Sequence, residues 1–292
     1  MLKTILIVTI SALNLAAVES AYEEFLNYEV AERGVVSAEL AEVWNASSMT
    51  GKRYVLMQPD NDAEVYLRFI ENAPVEGYEP LTTTGWNATE LLVQNPDALA
   101  EAMADGPFTV TGAPADLWDA PGAPRAMQAI GPADEVLYLT RNGDFATTTA
   151  VDRVFIMVLG GTSLEALSDF YGDRLGLGLG EQMQLPVPFM AEAQGVAANT
   201  MYDLRVAIIS KDFLLELDEY PASVPARPGN SGHLPPGTSM VSFETDNLDA
   251  LDLTWRATPA PVDAFPYNGR RVGVTQGPAG EWLEIIESKT DQ

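Results

Sequence analysis

His233 is the only histidine in the chain, and there is no cysteine. These counts exclude thiolate nucleophiles, disulfides, sulfur-ligated zinc and iron–sulfur clusters. They also exclude iron sites that need two histidines from one chain and the His-Glu-x-x-His zinc motif. The stretch S-G-H-L-P-P-G places His233 in a loop. A loop histidine at the mouth of a site can transfer protons near neutral pH, and the alternative is an ordinary exposed loop residue.

Carboxylates are the most abundant groups that remain for chemistry. Acidic residues outnumber basic ones by 42 to 16, which gives a formal net charge of −26 over 292 residues. Nucleic acids and anionic membrane surfaces bind basic faces, so the sequence predicts neither as a partner. Hydrophobic residues make up 47% of the chain, which is enough to fill a core.

The N-terminal segment, residues 1–21, combines one lysine, an apolar run and a small-residue end, as secretory signals do. The segment nevertheless has an internal copy, in which Ile5–Thr9 aligns with Val154–Val158 and Tyr22 with Tyr171. Each copy has the pattern of an apolar strand followed by an amphipathic helix. Removing such a strand would expose the edge of its neighbour. We therefore expect residues 1–21 to be folded and the protein to be cytoplasmic.

The duplication extends along the chain and divides it into two halves. G-P-A-D-E at Gly131 is repeated as G-P-A-G-E at Gly277. Within each half, a strand, a helix and several further strands occur twice. The sequence predicts a first domain over 1–143, a second over 150–289 and a linker over 141–150. Helices are predicted at 13–28, 36–45, 97–104, 163–174 and 247–255.

Three motifs suggest a family. They are F-Y-G-D-R-L-G at 170–176, its counterpart A-Y-E-E-F-L at 21–26, and the two Gly-Pro turns. With them the sequence resembles the vicinal oxygen chelate superfamily, also called the glyoxalase/bleomycin-resistance/extradiol dioxygenase fold. The resemblance implies an α+β fold of four βαβββ units in two domains, each forming an open curled-sheet cup. Family cups hold a small molecule and, in most enzymes, a divalent metal.

The family's metal positions are altered in this chain. The corresponding residues are, in chain order, Thr4, Ala88, Tyr138, Arg153, Met240 and Glu284. Arginine is permanently charged and methionine is a soft ligand, so neither replaces the family's His or Gln for a hard or borderline cation. The sequence therefore predicts no metal and no other cofactor. An oxygen-rich alternative site would draw on Gln58, Gln128, Gln276, Glu216 and Asp218.

If the superposition on the family holds, Arg153 and Glu284 face each other across the second cup. Arg153 then anchors a carboxylate or phenolate and Glu284 acts as general acid or base, with His233 as a further catalytic candidate. The alternative is an ion pair that holds strands together where the family has a metal. The second cup is accordingly the expected ligand site.

Substrate-binding candidates come from both halves. The apolar, proline-interrupted segment 182–202 has no counterpart of equal length in the first half and is predicted to be a flap over a hydrophobic pocket. The complete set of binding candidates is Met240, Glu216, Tyr202, Phe189, Tyr138 and Arg68.

Three functions remain open from the sequence. The first is a metal-independent lyase or isomerase that acts by acid–base chemistry on a small apolar or aromatic oxygenated compound. The second is a non-catalytic protein that sequesters a small hydrophobic molecule, as resistance members of the family do. The third is a glyoxalase- or dioxygenase-like metalloenzyme with a remodelled site. A homodimer is an open possibility for the assembly.

Overall fold

The computed structural model describes residues 1–61 and 63–288. The chain forms four consecutive units of strands and short helices. The first contains β1 (Leu2–Ala12), α1 (Leu15–Leu26), β2 (Tyr28–Val35), α2 (Ala38–Val43), a 3-10 turn (Ser47–Met49), β3 (Arg53–Pro59) and β4 (Tyr66–Glu71). The second contains β5 (Gly85–Val93), α3 (Pro96–Met103), β6 (Thr109–Asp116), β7 (Arg125–Ile130) and β8 (Val136–Arg141).

The third unit carries the longest insertion. It contains β9 (Val151–Gly161), α4 (Leu164–Ser168) with a π-helical continuation (Asp169–Arg174), β10 (Gly178–Leu179), β11 (Met183–Pro186), α5 (Pro188–Ala193), β12 (Met201–Ile208) and β13 (Leu214–Glu219). The fourth contains β14 (Thr238–Thr245), a 3-10 turn (Leu248–Ala250), β15 (Ala260–Val262), β16 (Arg270–Gln276) and β17 (Trp282–Glu287). The helix predicted over 247–255 is wrong, since only the short turn at 248–250 forms.

Helix starts follow local side-chain chemistry. The side chains of Asn14, Ser37, Asn95 and Ser163 each accept a hydrogen bond from the backbone N–H three residues later, which satisfies an otherwise unpaired amide. Helix α1 ends at Asn27, whose φ of 53° is left-handed and stops the helix. The apolar N-terminal run is a strand: β1 lies between β14 and β4 in the sheet.

The strands form two curled sheets, each built from both halves of the chain. The first sheet has the order β15-β16-β17-β14-β1-β4-β3-β2. The second has the order β10-β12-β13-β9-β5-β8-β7-β6, with β11 added beside β12. Units one and four therefore share the first sheet, and units two and three share the second. The α+β class and the two curled sheets are confirmed, whereas the expectation that each half closes its own cup is wrong.

The segment 141–150 consequently joins two strands of the same sheet, with β5 between β8 and β9. The two halves, 1–143 and 150–289, stay a prediction about the duplication, because strand pairing does not show which segments fold independently.

The main core lies between the two sheets, where outward-facing strand residues pack with α1, α3 and α4. Within it, each duplicated Gly-Pro turn is closed by a buried glutamate. Tyr22 Oη donates to Glu135 Oε1 at 2.7 Å, and Tyr171 Oη donates to Glu281 Oε1 at 2.9 Å. Burial raises the pKa of each of these carboxyls to about 7. Among residues 1–61 and 63–288, no helix is long and apolar enough to span a bilayer.

Candidate functional site

Strand register identifies two equivalent centres, one on the inner face of each sheet. In the first sheet, the parallel pairs place Thr9 beside Arg68 and Ser242 beside Glu284. In the second sheet, the sequence repeat and the register give the corresponding pairs Val158 beside Glu216 and Glu90 beside Tyr138. The two centres use the same backbone positions, so their side chains decide what each can do.

The first centre contains a closed polar network. Glu284 is fully buried and accepts hydrogen bonds from Trp44 Nε1 at 2.6 Å, from Tyr267 Oη at 2.9 Å and from Ser242 Oγ. Its carboxylate lies 3.6 Å from the guanidinium of Arg68, which is 1% exposed. The acceptor capacity of the carboxylate is therefore used within the protein.

The guanidinium of Arg68 is enclosed as completely. Its Nε and Nη2 donate to Thr9 Oγ1 at 3.0 and 2.7 Å, and the group lies 4.7 Å from the centroid of the Trp44 ring. Helix α2 and the loop carrying Tyr267 fill the rest of the cup with apolar side chains, and Met240 is buried among them. Three predicted residues, Glu284, Arg68 and Met240, are thus brought together, and all three are buried.

Arg153 is not part of this network. It lies on β9 in the second sheet, and its guanidinium pairs with Asp152 at 3.0 Å and with Asp212 at 3.6 Å. The expectation that Arg153 faces Glu284 is therefore wrong. A gap-free alignment puts Arg153 at the metal position, whereas the register puts Val158, five residues further along the same strand, at the centre.

His233 likewise makes its side-chain hydrogen bond outside both centres. Its Nδ1 lies 3.0 Å from Oδ1 of Asn72, the residue that follows β4. Asn72 donates in turn to Ser11 Oγ and to the carbonyl of Leu234, each at 2.9 Å. These contacts hold the proline-rich loop against the first sheet.

The second centre opens into a cavity of about 360 Å³. We call it the acidic cavity; its lining is Glu90, Ala115, Asp116, Leu117, Ala126, Gln128, Tyr138, Leu185, Pro186, Val187, Pro188, Phe189, Met190, Leu204, Glu216 and Asp218. Its cover is the predicted flap, because β11 and α5 supply Leu185 to Met190. Leu117 and Leu185 are 48% and 39% exposed, so the cavity reaches solvent between β6 and the flap.

Predicted binding residues form one wall of this cavity. The rings of Tyr138 and Phe189 meet edge to face with centroids 5.7 Å apart. Tyr202 lies behind the flap, where its hydroxyl donates to Gln194 Oε1 at 3.0 Å. Glu216 lines the cavity together with Gln128 and Asp218 from the oxygen-rich alternative.

Three carboxyls dominate the electrostatics of the acidic cavity: Glu90 and Asp218 are buried, and Glu216 is half-buried. Burial, followed by the charge of Glu216, raises the pKa of Glu90 to about 8. Burial raises the pKa of Glu216, and burial together with Glu216 raises the pKa of Asp218 well above its ordinary value. Asp218 is 3% exposed, and its Oδ1 has no hydrogen-bond partner among the described residues. The cavity therefore retains protons at neutral pH that ordinary carboxyls would lose.

Glu90 is the residue that sequence reasoning missed. Aligning Ala88 with Met240 directs attention two residues too early in β5. A usable signal was present, because Glu90 is the single charged residue in a nine-residue strand whose every position is buried. An acid in such a strand needs a neutralising partner or a raised pKa.

The donor sets do not fit the divalent metal that the fold family implies. In the first centre, Arg68 supplies a fixed positive charge and Glu284 is saturated with donors. In the part of the chain that the structure describes, no three His, Cys, Asp or Glu side chains are grouped so that they could hold a metal ion.

Comparison with known proteins identifies the fold. No protein-family model and no curated protein matches the sequence. Glyoxalase I from Zea mays is similar in structure, with a TM-score of 0.66, 15% identity and coverage of 97% of this chain and 92% of that one. A proposed dioxygenase from Bacillus subtilis gives a TM-score of 0.61 at 10% identity, covering 99% of this chain and 86% of that one. The chain therefore has the fold of these two structures, as expected from its resemblance to the vicinal oxygen chelate superfamily.

Proposed function

We propose that the chain is a metal-independent enzyme that acts by acid–base chemistry in the acidic cavity. Its substrate is a small apolar or aromatic oxygenated compound, and its reaction is a lyase or isomerase step. The observation that carries the proposal is the pair of acids, the buried Glu90 and the half-buried Glu216, that line a cavity with an apolar cover. We assign to this pair the role of general acid and base that the sequence suggested for Glu284, because the carboxylate of Glu284 is buried and accepts hydrogen bonds from three side chains.

Two acids at one site can take different roles in proton transfer. Burial, followed by the charge of Glu216, raises the pKa of Glu90 to about 8, so Glu90 favours its protonated form near neutral pH. The protonated partner can donate to a substrate oxygen while the ionised one removes a proton from carbon. Tyr138 keeps its phenolic proton, because burial raises its pKa well above the ordinary value. It is therefore available as a neutral donor to a substrate oxygen.

Solvent exchange tests this proposal across a range of candidate substrates at once. The protein is incubated in D₂O with a panel of small aromatic and alicyclic ketones, aldehydes and hydroxy compounds, and deuterium incorporation or conversion is followed by NMR. For any compound that exchanges, Glu216→Gln should lower the rate about 10²–10⁴-fold while binding is largely kept. Glu71→Gln, at an ion pair with Arg53 on the surface, is the matched control and should leave the rate unchanged.

The alternative functions give different results in the same assay. A compound that binds in the acidic cavity but neither exchanges nor reacts would favour a sequestering protein, for which the largely apolar flap is the supporting feature. Activity that is lost on chelator treatment and restored by a divalent metal would favour a remodelled metalloenzyme. Metal independence predicts unchanged activity after chelation.

A further inference from the structure

We infer that the acidic cavity takes an organic cation, namely a protonated amine carried on an apolar or aromatic body. The inference rests on the proposed function only in taking this cavity as the ligand site. It adds the charge of the ligand, which acid–base chemistry alone leaves open.

The first argument is the sign of the charges that face the ligand. Glu90, Glu216 and Asp218 line the cavity, whereas Asp116 at its margin is already paired with Arg125 at 3.2 Å. None of the described residues that line it is lysine, arginine or histidine. A ligand carboxylate or phosphate would find no cation to pair with among these described lining residues, whereas a ligand cation would stabilise the ionised form of the carboxyls.

The second argument is the unsatisfied acceptor. Oδ1 of Asp218 has no partner among residues 1–61 and 63–288, although the side chain is almost completely buried. A buried acceptor without a hydrogen-bond partner costs free energy, and a charged N–H donor is the strongest partner for it. The ring of Tyr138, set edge to face with Phe189 in the same wall, adds an aromatic surface of the kind that attracts ammonium groups.

The third argument separates an organic cation from a metal ion. The cavity volume of about 360 Å³ is more than twice the roughly 150 Å³ that accommodates benzene in an apolar protein cavity. The flap contributes leucine, proline, valine, phenylalanine and methionine side chains, which are poor ligands for a hard ion but good contacts for a hydrocarbon body.

Matched probes test the charge directly. Benzylamine, 2-phenylethylamine and cyclohexylamine are each compared with the corresponding alcohol, and 3-phenylpropanoate serves as the anion, by isothermal titration calorimetry at pH 7.5. We expect at least one amine to bind about tenfold or more tightly than its alcohol, and the anion to bind more weakly than either. Repeating the titration in buffers of different ionisation enthalpy should show net proton release with the amine, because a bound ammonium favours the ionised carboxylates.

One variant ties the effect to the cavity. Asp218→Asn removes the charge and keeps the shape, and it should weaken amine binding about tenfold while changing alcohol binding less than twofold. It should also melt no lower than the wild type, since a buried acid with a raised pKa is replaced by a neutral group. Asp252→Asn makes the same change in net charge at an exposed position and should alter neither affinity.

Equal affinity for amines and alcohols, absence of amine binding, proton uptake with the amine, or amine binding unaffected by Asp218→Asn would each overturn the inference. The solvent-exchange assay uses neither these probes nor this variant. The proposed function can therefore survive when the ligand charge is wrong, and the amine site can survive when no exchange is found.

Discussion

Replacing Glu284 by glutamine tests whether the first centre is structural. Glutamine keeps the size of the side chain but removes the negative charge that faces Arg68 at 3.6 Å. It also turns one acceptor oxygen into an NH₂ donor, which meets the donors of Trp44 or Ser242. Removing one partner of a buried ion pair costs about 3–5 kcal/mol, because the remaining charge is left uncompensated. For a chain of this size the loss corresponds to a fall in melting temperature of roughly 10 °C.

The assay combines a thermal melt and a urea titration with an activity or ligand-binding measurement on the same sample. Glu71→Gln is the control, since the same substitution at an exposed pair should leave the melting temperature close to that of the wild type. The double variant Arg68→Met/Glu284→Gln removes both charges, and its destabilisation should be smaller than the sum of the two single effects.

Two results would refute the structural role. A Glu284→Gln protein within about 1 kcal/mol of the wild type would show that the network does not hold the sheet together. A folded variant that has lost activity or binding per molecule would show that Glu284 serves the ligand site directly, as the sequence suggested.

Other consequences of the structure can be measured in the same way. Glu135 and Glu281 have pKa values raised to about 7 in the folded state, above the unfolded value near 4.5, so their stabilising contribution is complete below pH 4.5 and is lost as the pH rises through 7. One pKa unit corresponds to about 1.4 kcal/mol, so each accounts for on the order of 3 kcal/mol, and urea titrations from pH 5 to 8.5 should show a shallower pH dependence in either Glu→Gln variant than in the wild type. Phe189→Ala removes part of the flap and should weaken binding in the acidic cavity by about tenfold, with a stability loss of about 1 kcal/mol because the ring is only half-buried; unchanged affinity would show that the flap does not contact the ligand. Gly160→Ala would place a Cβ 2.2 Å from the Tyr220 ring, so the free energy of unfolding should fall by about 1–3 kcal/mol. A melting temperature equal to that of the wild type would contradict this packing.

The units of the fold were predictable from the sequence because they depend on local patterns. Apolar runs, helix-starting polar residues and Gly-Pro turns recur in both halves, and they identify β1 as a strand despite its resemblance to a signal peptide. The flap at 182–202 was also predictable, because an apolar and proline-interrupted insertion has few other places to pack. These features need only neighbouring residues.

The pairing of units into sheets was not predictable in the same way. The first strand pairs with β14, more than two hundred residues away, and a repeat gives the order of units without saying which edges meet. The error extends to the site, since assigning each half its own cup brings Arg153 and Glu284 together. The position of the site along each strand is a second difficulty. Strands β1 and β9 each have eleven residues, and the sequence does not show which residue of the strand lies at the centre.

The two centres show how one backbone arrangement leads to different uses through charge compensation. Ionised groups buried on the inner face of a sheet must be neutralised, and the first centre achieves this internally by setting Arg68 against Glu284. The second centre has Glu216 where the first has Arg68, and Glu90 where the first has Ser242, so acids are present without a facing cation. Their charge must then be neutralised by protons or by a ligand. The open cavity lies at the second centre, where the carboxyl charges are not neutralised by a cation among the described lining residues. Because cavity and uncompensated acids coincide there, we expect both binding and catalysis at the second centre.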